Sequence, residues 1–222
     1  MRSITKVFHG VCACGLFIAL AVPCRDASAQ LACDYSGRAY GAFVNVAGFG
    51  PMYFADTGNL PPTGGTLSSS LVNVNVPGII TASTMAGTTS GSNCQANSDE
   101  SVENVTVLQG NPAQVTATLV KSSAHADCAS VGGASTILGL MFGGVPVIVT
   151  GGANQAVTIP GVATLTINEQ TSGPGKAFVV NALHLRLLGG TQEVIIASAH
   201  SDVFCMTPTK ATTWGSLKSL YR

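Results

Sequence analysis

Apolar residues recur at every second position through most of this chain. The plainest case is Val72-Asn73-Val74-Asn75-Val76, in which alternation puts the valines on one face and the asparagines on the other. A period of two is that of a β-strand with one buried side. Segments of the same kind, rich in β-branched residues, run over 39–46, 79–86, 102–108, 115–122, 136–142, 145–150, 162–169, 178–188 and 193–204. Between them stand Gly110-Asn111-Pro112, Gly143-Gly144, Pro160-Gly161, Gly173-Pro174-Gly175 and Gly189-Gly190, which are turn signals, because glycine supplies positive φ and proline presets it. No segment before the C-terminal tail has helical periodicity. About ten strands with regular turn signals predict one all-β domain, an antiparallel β-sandwich or, alternatively, a barrel-like closure. The stretch 56–66, with Leu60-Pro61-Pro62 at its centre, is expected to be a surface loop.

The ends of the chain read differently. Arg2 and Lys6 precede an apolar run from Val11 to Val22, and Ala27-Ser28-Ala29 offers small residues for cleavage. That order is the signature of a secretory signal peptide, and the run is too short to span a bilayer. The expected organisation is a signal peptide over 1–29, an exported all-β domain over 30–206 and a short tail over 207–222. Export predicts a periplasmic, cell-surface or secreted location.

Removing the signal changes the picture of charge and of cysteine. The full chain balances ten basic against ten acidic residues, and only 9% of its residues are charged. Arg2, Lys6, Arg25 and Asp26 leave with the signal, and Lys210, Lys218 and Arg222 lie in the tail. The body keeps Arg38, Lys121, Lys176 and Arg186 against nine acids and is therefore acidic. An acidic, sparsely charged body argues against a nucleic-acid partner, and 46% hydrophobic residues argue against disorder. Cys33, Cys94, Cys128 and Cys205 remain, an even number that predicts two disulfides after export. No CxxC pair occurs among them, so zinc ligation is not indicated. An echo at a shift of 35 residues lays Ile80-Thr81-Ala82-Ser83 on Val115-Thr116-Ala117-Thr118 and Cys94 one residue from Cys128. On that basis the expected pairing is Cys94 with Cys128 and Cys33 with Cys205.

Motifs with an established chemistry are missing. Gly87-Thr88-Thr89-Ser90-Gly91 lacks the spacing of a nucleophile elbow, and Gly175-Lys176 lacks the loop and hydroxyl residue of a phosphate loop. What stands out is a few polar residues in apolar strands: Glu169, then His184 beside Arg186, and His200-Ser201-Asp202, where His and Asp share a face. His125-Ala126-Asp127 repeats that spacing. Glu169, His184, His200 and Asp202 are the candidate metal ligands, because imidazole and carboxylate are a common donor set. The competing reading makes them surface or hydrogen-bonded side chains with a structural role. A third reading uses Tyr35, Tyr40, Phe43, Phe49, Tyr53 and Phe54 as a sugar-stacking patch, against core packing as the alternative.

Gly37-Arg38-Ala39-Tyr40-Gly41, Ala55-Asp56-Thr57-Gly58, Asn168-Glu169-Gln170, Val180-Asn181-Ala182-Leu183-His184 and Ala199-His200-Ser201-Asp202 occur in an order that resembles bacterial choice-of-anchor P proteins, over nearly all of the mature chain. The resemblance implies an exported domain carried on varying C-terminal anchors, with no catalytic mechanism to transfer. This chain departs from that pattern. Its last 17 residues hold no apolar span or sorting motif, so the expectation is a released protein, or a tail whose Trp214, Leu217, Leu220 and Tyr221 dock on the domain or a membrane interface. The functional expectation is an extracytoplasmic structural or binding module without catalytic activity or cofactor, with cell-envelope components or glycans as its partners. The alternative is a metal-dependent or carbohydrate-directed activity at Glu169, His184, His200 and Asp202.

Overall fold

The computed structural model describes residues 33–187 and 189–206; the expected signal segment and tail lie outside the described residues. Thirteen strands form two antiparallel sheets, and no helix occurs among the described residues. The strands are β1 (Cys33–Val46), β2 (Phe49–Phe54), β3 (Gly65–Val76), β4 (Ile80–Ser92), β5 (Gln95–Val107), β6 (Val115–Asp127) and β7 (Val131–Leu138). After them come β8 (Met141–Phe142), β9 (Val145–Pro146), β10 (Gln155–Ile159), β11 (Ala163–Ser172), β12 (Ala177–Leu187) and β13 (Glu193–Cys205). The terminal sheet runs β10-β11-β12-β13-β1-β2, and the middle sheet runs β3-β4-β5-β6-β8-β9 with β7 also on β6. The two sheets face one another as an open sandwich, not a closed barrel, in agreement with the first reading of the pattern.

The turn signals stand where they were expected, and two strands, β2 and β10, carried no clear alternation. The segment 136–142 is split at Gly139, whose φ is +65°, into the end of β7 and β8. The segment 145–150 is mostly irregular. The stretch after β2 is more than a surface loop. Its Thr57 and Leu60 N–H groups donate to the Ala39 and Gly37 carbonyls, Pro62 accepts from Tyr35 N–H, and Leu60 is buried. The loop thus covers the edge of β1 beyond the end of β2.

Strict alternation fails once in each long strand. Val102 and Glu100 face the core in β5, but so do Val105 and Val107; Val180 and then Leu183 do so in β12. The reversals lie opposite one another. In the middle sheet they fall at Asn73, Ser83, Asn104 and Thr118, between the pairs Val72 with Thr84 and Val74 with Ala82 on one strand pair and their equivalents on the next. In the terminal sheet they fall at Asn168, Ala182, Ala197 and Gly41. Alternate strands absorb the reversal with a positive φ, at Asn73 and Asn104 and at Asn168 and Ala197. Asparagine tolerates that conformation; alanine does not favour it. One consequence corrects the plainest strand of the sequence: Val74 and Val76 are partly buried, but Val72 is 70% exposed on the opposite face.

The reversal divides the interior. On one side lies an aliphatic core containing Val44, Ile80, Val105, Val115, Leu165, Ile167, Leu183 and Ile196. On the other many of the inward residues are small or hydroxylated, among them Gly37, Ala39, Gly87, Thr89, Ser98, Ser122, Ala124 and Ser201, beside small clusters around Phe178, Val180 and Val203. The sheets approach closely there. A Cβ on Gly37 would collide with Thr89 Oγ1, and serine hydroxyls bond to backbone of the facing sheet: Ser98 donates to His200 O, and Ser201 to Ala124 O at 2.9 Å.

The disulfides close this end and correct the expected pairing. Cys33 bonds to Cys94 and Cys128 to Cys205. Cys94 and Cys128 do occupy equivalent places, in the β4–β5 and β6–β7 turns of the middle sheet, so the echo identified a real equivalence. Equivalent turns lie side by side in one sheet, and each cysteine reaches across to the terminal sheet, where Cys33 and Cys205 are already register partners on β1 and β13.

Non-reducing peptide mapping is expected to return Cys33–Cys94 and Cys128–Cys205, and replacing either pair by alanine to lower stability by about 2–4 kcal/mol in denaturant titration. Gly37→Ala is expected to cost about 1–3 kcal/mol by overpacking the narrow half, measured the same way.

Candidate functional site

The outer face of the terminal sheet carries most of the polar residues that the sequence singled out. Successive strands place Glu169 on β11, Asn181 and His184 on β12, Ser198 on β13 and Tyr40 on β1, with Glu169, Asn181, Ser198 and Tyr40 in one transverse row. These groups hold one another. His184 is 4% exposed, with Nδ1 2.6 Å from Glu169 Oε2 and Nε2 2.8 Å from Glu193 Oε2. Each ring nitrogen thus faces a carboxylate oxygen. Arg186 and Asn181 also donate to Glu169, and Ser198 donates to Asn181 Oδ1 and pairs with the Tyr40 hydroxyl. The hydrogen bond from His184, reinforced by Asn181 and Arg186, holds the Glu169 carboxyl down at about 2 against the opposing effect of burial. Burial raises the Tyr40 phenol.

The network continues toward β2. Arg38 grips Asp56 through two hydrogen bonds of 2.8 and 2.7 Å, and that grip lowers the Asp56 carboxyl. The Arg38 guanidinium also lies over the Tyr53 ring, 4.2 Å from its centroid, and Tyr40 and Phe43 pack against Tyr53. The aromatic group named from the sequence is therefore divided. Tyr40, Phe43 and Tyr53 lie on the outer face, whereas Phe54 packs against the aliphatic core and Tyr35 joins the cysteine end, its hydroxyl accepting from Cys94 N–H.

The four candidate ligands do not converge. Glu169 and His184 meet, but His184 lies opposite Ile195 on β13, and His200 is five residues further on, roughly 16 Å along the strand. Burial lowers the His200 pKa, with Asp202 opposing. His125 and Asp127 belong to the other sheet, where Asp127 accepts from the Ala129 and Ser130 N–H groups of its own turn. Among the described residues the one convergent trio of ligand-type side chains is Cys33, Cys128 and Cys205, already committed to disulfides. Glu193 was missed in the sequence. Folding β12 and β13 about Gly189-Gly190 would have found it, because that hairpin sets Arg186 opposite Glu193.

Two further features were not legible at all. Inside the narrow half, Glu100 is 2% exposed, opposite Gly87 and Ser122, and both of its carboxyl oxygens and the Ser122 hydroxyl lack hydrogen-bond partners. Burial pushes this carboxyl up to about 8; the Ser101 and Ala86 N–H groups offset this in part without making bonds of good geometry. On the outer face of the middle sheet, above the same strands, is a hollow of about 570 Å³ lined by hydroxyl side chains with Asp99 and Lys121. Compared with known proteins, the chain matches no family model, no curated protein and no solved structure.

The two perturbed carboxyls predict opposite pH limbs. Glu100 binds its proton more tightly folded than unfolded, so its contribution is present below about pH 4.5 and lost as pH rises toward 8. Between pH 5 and pH 8.5 the unfolding midpoint is expected to fall by roughly 5–10 °C through this group, and Glu100→Gln to flatten that slope. Glu169 has a depressed value, so its contribution is present above about pH 4.5 and lost as pH falls toward 2. Glu169→Gln is expected to flatten the acid limb, worth on the order of 1–2 kcal/mol after solvent screening. Thermal unfolding across pH checks both.

Proposed function

We propose that this chain is an exported, non-catalytic β-sandwich module that acts by binding or as structure at the cell surface or in the extracytoplasmic space, of the kind found in the choice-of-anchor P proteins it resembles. One observation carries the reading: the ionisable side chains that meet on the outer face of the terminal sheet, Glu169, His184, Arg186 and Arg38, are satisfied by neighbouring side chains. His184 spends both ring nitrogens on Glu169 and Glu193, and Arg38 spends its fork on Asp56. A general base or metal ligand needs a lone pair directed at an open position, and this network directs its groups at each other across three strands. Two disulfides fit an oxidising compartment, and no helix among the described residues is long and apolar enough to cross a membrane. The N-terminal signal pattern supports export by cleavage after Ala29.

In this reading His184→Ala lowers stability by about 2 kcal/mol, because it strands two carboxylates, and His200→Ala leaves it nearly unchanged. Zinc or calcium leaves the melting temperature of the wild type where it was. A metal-induced rise of several degrees that disappears in His184→Ala would overturn the reading. The intact mass of exported protein is expected to begin at Gln30.

A further inference from the structure

The outer faces of the two sheets differ in a way that residue composition does not announce. On the terminal sheet the polar side chains are bonded into a network; on the middle sheet they are not. Thr88, Asp99 and Ser123 form one row across β4, β5 and β6, and Ser101, Lys121 and Thr136 form the next across β5, β6 and β7. Serines of β3 close the side of the hollow. Within these rows, Thr88, Asp99, Ser101, Lys121 and Thr136 make no side-chain hydrogen bond or ion pair to any described residue, and only Ser123 reaches a carbonyl, that of Ala134, at 3.4 Å. Asp99 and Lys121 have opposite charges one row apart and still do not pair.

From this we infer that the hollow on the outer face of the middle sheet is a binding groove for a neutral glycan chain. The inference rests on the module reading above and supplies its ligand. A sugar chain presents hydroxyls that both donate and accept, and the groove offers hydroxyls that do both, a carboxylate that accepts and an ammonium that donates. A polyanion is disfavoured, because Lys121 is accompanied by Asp99 and by Glu103 on the same strand. A peptide strand would add at a free sheet edge or use apolar pockets, and the floor of the hollow is built from β4, β5 and β6, each paired on both sides, with the edges of β3 and β7 only at its rim. No aromatic ring lines the groove, so recognition is by hydrogen bonds without stacking, and dissociation constants of roughly 0.1–10 mM are expected. The place differs from the aromatic patch first suggested by the sequence, where Arg38 covers Tyr53.

The test is amide chemical-shift mapping of the disulfide-bonded protein with cellotetraose, xylotetraose, mannotetraose and maltotetraose, each at about 10 mM. At least one is expected to shift resonances of Thr88, Asp99, Ser101 and Lys121 and to be recovered uncleaved. Asp99→Ala and Ser101→Leu, both on the outer face, are expected to weaken that tetrasaccharide at least tenfold with the melting temperature and the rest of the spectrum preserved. No shift with any of the four, or equal affinity in both variants, would refute the groove. Shifts centred on Tyr53 and Phe43 would refute it and leave the module reading intact, as would concentration-dependent shifts without sugar, which assign the face to a second copy of the chain. Cleavage of a tetrasaccharide would refute the module reading itself.

Discussion

A β-strand shows its side chains to alternate faces, and every long strand of this protein breaks that rule once, at positions aligned across each sheet. The break cannot be made by one strand alone, because a single phase change would turn its neighbours' buried residues toward mismatched partners. Here register is kept across the line in both sheets, and Asn73, Asn104, Asn168 and Ala197 take left-handed backbone so that all the strands turn over together. What lies on either side of the line follows from it. The aliphatic residues pack as an ordinary core on one side, and on the other glycine, alanine and hydroxyl residues predominate where the sheets are close enough for Ser98 and Ser201 to reach the facing backbone.

The narrow half has a chemical cost, and the outer surfaces show how it is distributed. A carboxyl at Glu100 in a space given largely to small side chains makes no hydrogen bond of good geometry, and burial pushes it up to about 8. Its strand neighbours Asp99 and Ser101 point the other way, into the hollow, so one short segment supplies both the least satisfied interior group and the least engaged surface groups. On the terminal sheet the outcome is reversed. There Glu169, Glu193 and Asp56 each meet a cation or imidazole, and in a chain with so few charges these pairings use nearly all the basic residues of that sheet.

How much of this was legible varies with range. Strand content, the turns at Gly143-Gly144 and Gly189-Gly190 and the pairing of cysteines into two disulfides follow from residue types that act locally. The importance of Glu169 and His184 was also visible, because ionisable residues stand out in apolar strands. Their meaning was not, since Glu193 enters the picture only through hairpin register. The repeat between 80–83 and 115–118 was real, yet it led to the wrong bonds, because similarity reports equivalent positions and disulfides form between facing ones.

By itself, then, the sequence determined an all-β chain with its strands, turns and cysteines in place, because alternation, glycine and proline act over a few residues. Only the tertiary structure decided which face each residue occupies, which cysteines meet, and which polar groups find partners. Those outcomes depend on register across strands and on the separation of two sheets, and the left-handed residues that reset the alternation, three asparagines and Ala197, are recognised as such only when the neighbouring strands are laid beside them.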